Sequence, residues 1–143
     1  MSDNQKLIDT NILAYAYDRS EQQKHAVSNS LVADFWRTGD GVVTLQNLTE
    51  FFVVITKKVG KPLPVTVAKG IVSDFLRSDR WTVIDRDEEI FAKAMDFVES
   101  YGIHLWDALI AACMLEYEIT SIVTENESDF KRIPGITVIN PFK

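Results

Sequence analysis

Short apolar runs alternate along this chain with longer segments whose apolar residues recur at helical spacing. Strands joined by helices of about ten or more residues need crossover connections, so they lie parallel in a sheet that helices cover on both faces. The predicted strands span residues 6–9, 42–45, 81–84, 121–124 and 136–139. Two predicted helices begin at residues 12 and 105. Four others span residues 22–37, about 47–58, 65–77 and 87–101. The pattern predicts an α/β fold with a mostly parallel sheet.

The composition fits a globular protein. The chain has 143 residues, 46% of them hydrophobic, which suits one domain with its own core over residues 1–143. The formal net charge of −6 excludes a broad basic surface of the kind that binds nucleic acid by counterion release. Any contact with nucleic acid must therefore be local.

The single cysteine, Cys113, excludes an internal disulfide and a cysteine-based zinc site. It lies inside an apolar helical pattern, so we interpret it as a core residue. The sequence shows no charged-then-apolar signal segment, and no apolar run approaches the roughly 20 residues that span a bilayer. We therefore expect a cytoplasmic protein that does not enter a membrane.

Three separated carboxylates lie where apolar runs meet polar turns or open helical patterns. Asp9 closes a short apolar run, Glu50 lies on a helix before two phenylalanines, and Asp107 opens an alanine-rich helix. A fourth polar cluster, residues 124–129, follows another predicted strand. Sites in parallel α/β sheets lie beyond the carboxyl ends of the strands. If these four places converge, they form a site for a hard divalent cation, which suits phosphodiester hydrolysis by metal-activated water.

Taken one at a time, the same groups have simpler interpretations. Asp9 can cap the helix that follows it, as can the side chains of Thr10 and Asn11. Glu50 can be an exposed acid on a polar helix face. Asp107 can complement the dipole at a helix N-terminus. The residues alone leave both interpretations open.

The remaining polar groups add little by themselves. The acidic run over residues 125–129 is typical of a solvated turn. Two histidines, His25 and His104, lack a second histidine or cysteine at ligand spacing. We therefore interpret them as surface residues, or as residues that contact the ligands of a site, rather than as zinc ligands. His104 lies near Asp107 in the sequence and can contact a substrate.

Five motifs follow one another in a fixed order along the chain. They read LIDTNIL, NLTEF, WDALIAA, TENESDF and VINP, at residues 7–13, 47–51, 106–112, 124–130 and 138–141. Together they resemble the PIN-domain family over essentially the whole chain, and within it the VapC-type toxins of prokaryotic toxin–antitoxin pairs. The resemblance implies a three-layer α/β/α sandwich and an endoribonuclease that depends on Mg²⁺ or Mn²⁺. It also implies a homodimer and a cognate antitoxin protein that blocks the acidic pocket.

The resemblance also implies roles for the three carboxylates. Asp9, Glu50 and Asp107 match the three most regular acids of the family's metal site, so we expect them to be the catalytic residues. Asp9 and Asp107 should bind the metal directly or through water. Glu50 should complete the metal's shell or accept a proton from the attacking water.

The fourth corner of the expected site departs from the family's pattern. Many relatives carry an aspartate where this chain has Asn126, and Asp129 is the nearest acid that matches. Either can contribute to metal binding, and we expect one well-held metal. Thr124 is expected to hydrogen-bond an acid or water of the site, and Thr10 and Asn11 are expected to support it.

RNA contacts are expected from local positive charge. Lys57, Lys58 and Lys61, at and just beyond the end of the second long helix, are candidates, together with His104. The lysines can equally be ordinary solvated side chains. An acidic enzyme must rely more on RNA shape or exposed loops than on general charge attraction.

Two other functions remain open at this level. A PIN domain that binds RNA or a protein partner without catalysis is favoured by Asn126 and by the acidic net charge. A phosphorylated receiver module is a further alternative, with Asp85 after the third strand as the acceptor. The sequence argues against the receiver because Asp9 stands alone after the first strand and Lys143 follows Pro141 rather than preceding it.

Overall fold

The computed structural model describes residues 4–143 of the chain. Its centre is a sheet of five strands in the order β3-β2-β1-β4-β5, and every neighbouring pair is parallel. The strands are β1 Lys6–Ile8, β2 Gly41–Thr44, β3 Trp81–Ile84, β4 Ser121–Val123 and β5 Thr137–Ile139. The predicted α/β class with a mostly parallel sheet is confirmed, and the described sheet is parallel throughout.

Seven α-helices connect and cover these strands within residues 4–143. They are α1 Thr10–Tyr17, α2 Gln22–Thr38, α3 Leu45–Val53, α4 Val65–Arg77, α5 Glu88–Tyr101, α6 Leu105–Glu116 and α7 Glu127–Lys131. A 3₁₀ turn, Arg19–Glu21, precedes α2, and a π-helical turn, Val54–Lys58, continues α3.

The interpretation of residues 125–129 as a solvated turn was wrong. Most of this segment belongs to α7, in which Asp129 and Phe130 are buried. The Phe130 ring anchors the short helix in the core between α5, α6 and the sheet. Five residues are too few to show a helical period, so the tertiary contact fixes what the sequence pattern could not.

Two hydrophobic cores lie on opposite faces of the sheet, because successive side chains of a strand point to opposite sides. The strand residues that face α5 and α6 include Leu7, Val42 and Ile122. Those that face α1 to α4 include Ile8, Val43 and Val123. This arrangement is the expected three-layer α/β/α sandwich.

The strand order brings the polar segments to one edge. The chain runs outward from β1 through β2 to β3, and then returns to build β4 and β5 on the other side of β1. Such a switch point opens a crevice beyond the carboxyl ends of the strands that flank it. The backbone N–H of Asp9 donates to the Val123 carbonyl at 3.0 Å, which fixes the end of β1 against the end of β4. Asp9 and Thr124 therefore meet at the crevice.

Candidate active site

Asp9 lies at the base of the crevice and is only 5% exposed. Its backbone is extended, and one carboxylate oxygen, Oδ1, accepts from the Thr10 N–H at 2.8 Å, so Asp9 caps α1. The other oxygen, Oδ2, accepts from the Thr124 hydroxyl at 2.8 Å. Burial raises the pKa of Asp9, and these hydrogen bonds act against that rise. Asp9 is both the helix cap and the most enclosed acid of the crevice.

The three residues expected to support the site surround Asp9. Thr124 is fully buried, and the Asn11 amide donates to its hydroxyl at 3.3 Å and to Asp9 Oδ2 at 3.4 Å. The Thr10 hydroxyl donates to Glu50 Oε1 at 3.3 Å and so links α1 to α3. Thr10 and Asn11 do not cap α1, as one interpretation of the sequence held. Their side chains reach the crevice instead.

Asn47 is a member of this network that the sequence analysis did not assign. Its side chain is fully buried and donates to Asp9 Oδ1 at 3.4 Å and to the Thr10 hydroxyl at 3.1 Å. Asn47 also exchanges hydrogen bonds with Thr44 in a capping box at the start of α3. The signal was present in the sequence, because a threonine followed three residues later by a polar side chain is typical of a helix start.

Asp9, Glu50 and Asp107 line one cavity of about 410 Å³, together with Asn126. Glu50 reaches it from the middle of α3 and Asp107 from the first turn of α6. Burial raises the pKa of Glu50, and the charge of Asp9 adds to the rise. The cavity therefore collects carboxylates from the end of β1, the middle of α3 and the first turn of α6.

Asp107 has the most perturbed carboxyl of the three. Burial and a hydrogen bond shared with Asp129 raise its pKa to about 7, and the negative charge of Asp9 contributes further. Nearby carboxylates raise one another's pKa unless a cation neutralises them. Among the described residues, the negative charges of Asp9 and Asp129 therefore disfavour the ionised form of Asp107.

Asp129 contacts His104 behind Asp107. Both the backbone N–H of His104 and its ring nitrogen Nδ1 approach Asp129 Oδ2, at 3.1 Å and 2.8 Å. Burial alone would raise the pKa of Asp129, but these hydrogen bonds hold it below its ordinary value. Hydrogen bonding to Asp129 in turn raises the pKa of the His104 ring, which is otherwise exposed.

Oxygen and nitrogen atoms suited to a divalent ion are close together here. Across the described chain, one group of three such side chains has ligand atoms within 4.8 Å of one another, and it consists of His104, Asp107 and Asp129. Asp107 belongs both to this group and to the cavity with Asp9 and Glu50. The donor set, mostly carboxylate oxygens with Asp107 at their centre, fits a hard divalent cation such as Mg²⁺ or Mn²⁺.

The other two acids of the predicted acidic run point away from this centre. Glu125 pairs with Lys24 and accepts from the Tyr15 hydroxyl at 2.6 Å. Glu127 pairs with Lys131 and Lys143 at 2.8 Å and 2.6 Å, and these bonds, with one from the Asn140 amide, lower its pKa to about 2. Both therefore fasten the chain around α7.

The three candidate lysines occupy different surroundings. Lys58 is exposed and lines the cavity with the acids, on the π-helical turn. Lys57 is exposed but does not line the cavity, and Lys61 lies in a separate groove beside Arg19 and His25. Asp85, the acceptor of the receiver alternative, is exposed at the end of the edge strand β3, two strands from β1.

The fold and the cavity together define a class of protein: a three-layer α/β/α domain with acidic side chains gathered at the carboxyl edge of a parallel sheet. The family model described as PIN domain matches residues 6–136. The chain therefore belongs to the PIN-domain family, as its motifs predicted. A comparison of the sequence with curated proteins found no match.

Several solved structures share this fold. A toxin–antitoxin complex from Klebsiella pneumoniae matches 96% of this chain and 98% of its own, with 21% identity and a TM-score of 0.70. VapBC2 from Rickettsia felis, bound to a DNA fragment from its promoter, matches 94% and 97%, with 22% identity and a TM-score of 0.66. VapC20 from Mycobacterium tuberculosis, a sarcin–ricin loop cleaving toxin, matches 81% and 85%, with 13% identity and a TM-score of 0.64.

The helices give no sign of a membrane span. Among residues 4–143, no helix is both long enough and apolar enough to cross a bilayer.

Proposed function

We propose that this PIN-domain protein is a metal-dependent endoribonuclease and the toxin of a toxin–antitoxin pair, with residues 1–143 forming one PIN domain. One observation carries the proposal: Asp9, Glu50 and Asp107 line a single cavity in which Asp107 has a pKa of about 7. An arrangement of mutually repelling carboxylates costs stability, and a bound cation offsets this cost. The PIN family match and the toxin structures that share the fold support the same function.

Mg²⁺, or alternatively Mn²⁺, is the proposed cofactor. Asp9 and Asp107 would hold the ion, with Glu50, Asn126 and Asp129 as further candidate ligands. A bound ion of this kind lowers the pKa of a coordinated water and stabilises the charge that develops on a phosphodiester. The same ion would relieve the repulsion that raises the pKa of Asp107.

Glu50 is suited to accept the proton of the attacking water. Its Oε1 accepts from Thr10 and Gln46, whereas Oε2 has no hydrogen bond to any described residue. The pKa of Glu50 is raised toward neutral pH. A general base is most effective when its pKa lies near the pH at which the enzyme works. The water oxygen would bond to phosphorus as the bond to O3′ breaks. The products would be a 5′-phosphate and a 3′-hydroxyl.

The remaining side chains of the cavity hold these acids in place. Thr124, Asn11 and Asn47 donate to Asp9 and keep its carboxylate oriented toward the cavity. Lys58 lines the cavity and supplies a positive charge for the RNA backbone, while His104 contacts Asp129. Lys57 and Lys61 are proposed only as outer contacts.

Replacement of Asp9 tests the catalytic role. Asp9→Asn keeps the size of the side chain and one of its two acceptor oxygens, but it removes the charge that would hold the ion. We expect loss of Mn²⁺-dependent RNA cleavage with an unchanged circular dichroism spectrum. Asp96→Asn, an exposed acid on α5, is the matched control and should cleave like the unmodified protein. Undiminished cleavage by Asp9→Asn would refute the assignment.

A PIN domain that binds RNA or protein without catalysis is the second candidate. Asn126 favours it, because this exposed amide lines the cavity where a further acid would strengthen metal binding. Calorimetric titration with Mn²⁺ separates the two functions. The nuclease should bind Mn²⁺, and Asp107→Asn should weaken this binding, whereas a purely structural domain has no reason to bind the ion in an Asp107-dependent way.

The proposed partners are an RNA substrate, a cognate antitoxin and a second copy of this chain, all in the cytoplasm. Complexes of toxin with antitoxin among the structures that share the fold support the antitoxin. A small neighbouring gene that encodes a DNA-binding protein would be its source. Co-expression of that gene should relieve growth arrest by this protein, and sedimentation should show a dimer.

A further inference from the structure

The three tryptophans of the chain lie in contrasting environments. Trp36 and Trp81 pack against each other and against Phe75, with ring centroids 4.8 to 5.8 Å apart. Trp106 is 60% exposed, and within residues 4–143 its indole contacts no other aromatic ring. A large flat apolar ring that the fold leaves in water is suited to binding.

Trp106 lies at the edge of the acidic cavity. It is the second residue of α6, directly before Asp107, and it lines the cavity with Asp9 and Glu50. The Gln46 amide donates to its backbone carbonyl at 3.2 Å, which ties the start of α6 to α3. The backbone that carries the indole is therefore held in place while the ring itself stays accessible.

Tyr15, the other aromatic ring at the cavity, is already engaged. Its hydroxyl donates to Glu125 at 2.6 Å, and the Lys24 ammonium lies 5.2 Å from its ring centroid. The Phe142 ring meets it edge to face at 5.6 Å. Of the two rings that line the cavity, the Trp106 ring is the accessible one.

Two positively charged side chains lie near this position. Lys58 lines the cavity, and the Arg86 guanidinium donates to the side-chain carbonyl of Gln46 at 3.3 Å, next to the start of α6. Cations that contact phosphates, combined with an aromatic ring that contacts a base, are the usual means of binding single-stranded nucleic acid. The bases of a duplex already stack on one another, so an indole at this position favours unpaired RNA.

We propose that Trp106 stacks on an unpaired nucleobase adjacent to the scissile phosphate, and that it makes this site selective for single-stranded or looped RNA. The inference rests on the proposed ribonuclease function and adds a specificity-determining residue to it. Trp106 contributes to binding the substrate, and the carboxylates perform the reaction.

Cleavage kinetics test the role of the ring. The substrate is a short labelled RNA containing all four bases, assayed with Mn²⁺ as a single strand and as a duplex with its complement. Loss of one stacked base corresponds to roughly a 5- to 150-fold effect on binding. Trp106→Ala should therefore raise KM for the single strand by that factor with little change in kcat, and Trp106→Phe should recover most of the loss. Phe91→Ala, which removes an exposed ring on α5 away from the cavity, is the matched control.

Fluorescence gives a second readout that does not require turnover. In an Asp9→Asn background, the single-stranded RNA should quench the indole of Trp106 on binding, whereas Trp36 and Trp81 are shielded in the aromatic cluster. Trp106→Phe in the same background should abolish the quenching. The duplex should quench far less than the single strand.

The outcomes separate this inference from the function on which it rests. If the unmodified protein cleaves no RNA with Mn²⁺, the proposed function fails. If it cleaves, but Trp106→Ala has an unchanged KM and Trp106→Phe in the Asp9→Asn background retains the quenching, the stacking role fails. A change in sedimentation mass with unchanged KM would instead assign Trp106 to a contact between protein chains and would also overturn the inference.

Discussion

Two regions of the molecule, one beside an edge strand and one at the centre of the sheet, differ in the surroundings of their buried groups. The aromatic corner, made of Phe35, Trp36, Phe75 and Trp81, fills the space beside the edge strand β3 with rings in edge-on or tilted contact. Trp81 packs so closely on Gly41 of the neighbouring strand that an added Cβ would lie 2.3 Å from the ring. The rings there pack against one another, and the buried Trp81 Nε1 has no hydrogen-bond partner among the described residues.

The acidic cavity at the centre of the sheet is the reverse case. Asp9, Glu50 and Asp107 are each at least partly buried, and each has a pKa above its ordinary value. Their charges oppose the fold in the absence of a cation. The aromatic corner therefore contributes to stability, whereas repulsion among the carboxylates of the cavity lowers stability until a bound ion offsets it.

The largest expected effect concerns the aromatic corner. Trp81→Ala removes a ring that contacts three others, and a large-to-small change of this kind typically lowers the free energy of unfolding by about 3–5 kcal/mol. Urea denaturation measures it. Trp106→Ala is the control, because its exposed ring should change that free energy by no more than about 0.5 kcal/mol. Similar losses in both variants would remove the distinction between the two regions.

At the cavity, a substitution should raise stability instead. Asp107→Asn removes a carboxylate that faces Asp9 and Asp129, and relief of such strain at a functional site commonly adds about 0.5–2 kcal/mol to the free energy of unfolding. The measurement is urea denaturation of the metal-free protein above pH 7. Asp96→Asn should have no such effect, since that side chain is exposed on α5. A destabilised Asp107→Asn variant would contradict the proposed repulsion.

Stability of the metal-free protein should fall as pH rises from about 4.5 to 7. An acid whose pKa is raised on folding binds its proton more tightly in the folded state, so its favourable contribution is present at low pH and is lost as pH approaches 7. The pKa values of Asp9 and Glu50 are raised as well, so they contribute to the same decline. The raised pKa of His104 adds a further loss only above about pH 6.5. Thermal unfolding across this range should show the decline.

Two comparisons sharpen the pH experiment. Asp107→Asn should flatten the decline, and saturating Mg²⁺ should oppose it most strongly near pH 7, where the carboxylates are ionised. The lowered pKa of Glu127, about 2, acts only below pH about 4.5 and does not enter this window. A stability that rises steadily from pH 4.5 to 7 without metal would rule out the assigned shifts.

The smallest effect is expected for the ion pair at the edge of the cavity. Lys24 and Glu125 are both partly exposed, and pairs of this kind contribute about 0–1 kcal/mol. Lys24→Ala should therefore change the urea midpoint only slightly. Because Lys24 also covers the Tyr15 ring, the variant should make tyrosine fluorescence at this position more sensitive to an added quencher. A loss comparable to that of Trp81→Ala would show that the edge of the cavity is as important to stability as the corner.

Most of the fold could be predicted because the spacing of apolar residues differs between its strands and its long helices. The short helix α7 could not, since its five residues are held by the burial of Phe130 and by the bonds from His104 to Asp129. Both contacts join segments that are distant in the sequence. Local patterns carry no information about such contacts.

The candidate site was predictable in part for a related reason. The motifs around Asp9, Glu50 and Asp107 identified the acids, but the residues between them depend on strand order. Asn47 reaches Asp9 only because β2 lies beside β1 and the capping box orients its amide. The closeness of Asp107 to Asp129 likewise depends on α6 and α7 lying side by side.

The π-helical turn Val54–Lys58 gives the edge of the cavity an adjustable element. A π-turn holds one residue more than an α-turn, and it therefore rotates every following side chain about the helix axis. Lys58, the last residue of this turn, lies on the wall with the acids, whereas Lys57 does not. Removing the extra winding of the turn without shortening the chain would move Lys58 out of this position and bring Lys57 toward it. A change in winding at this point can thus alter the charge presented to a ligand without any substitution in the cavity itself.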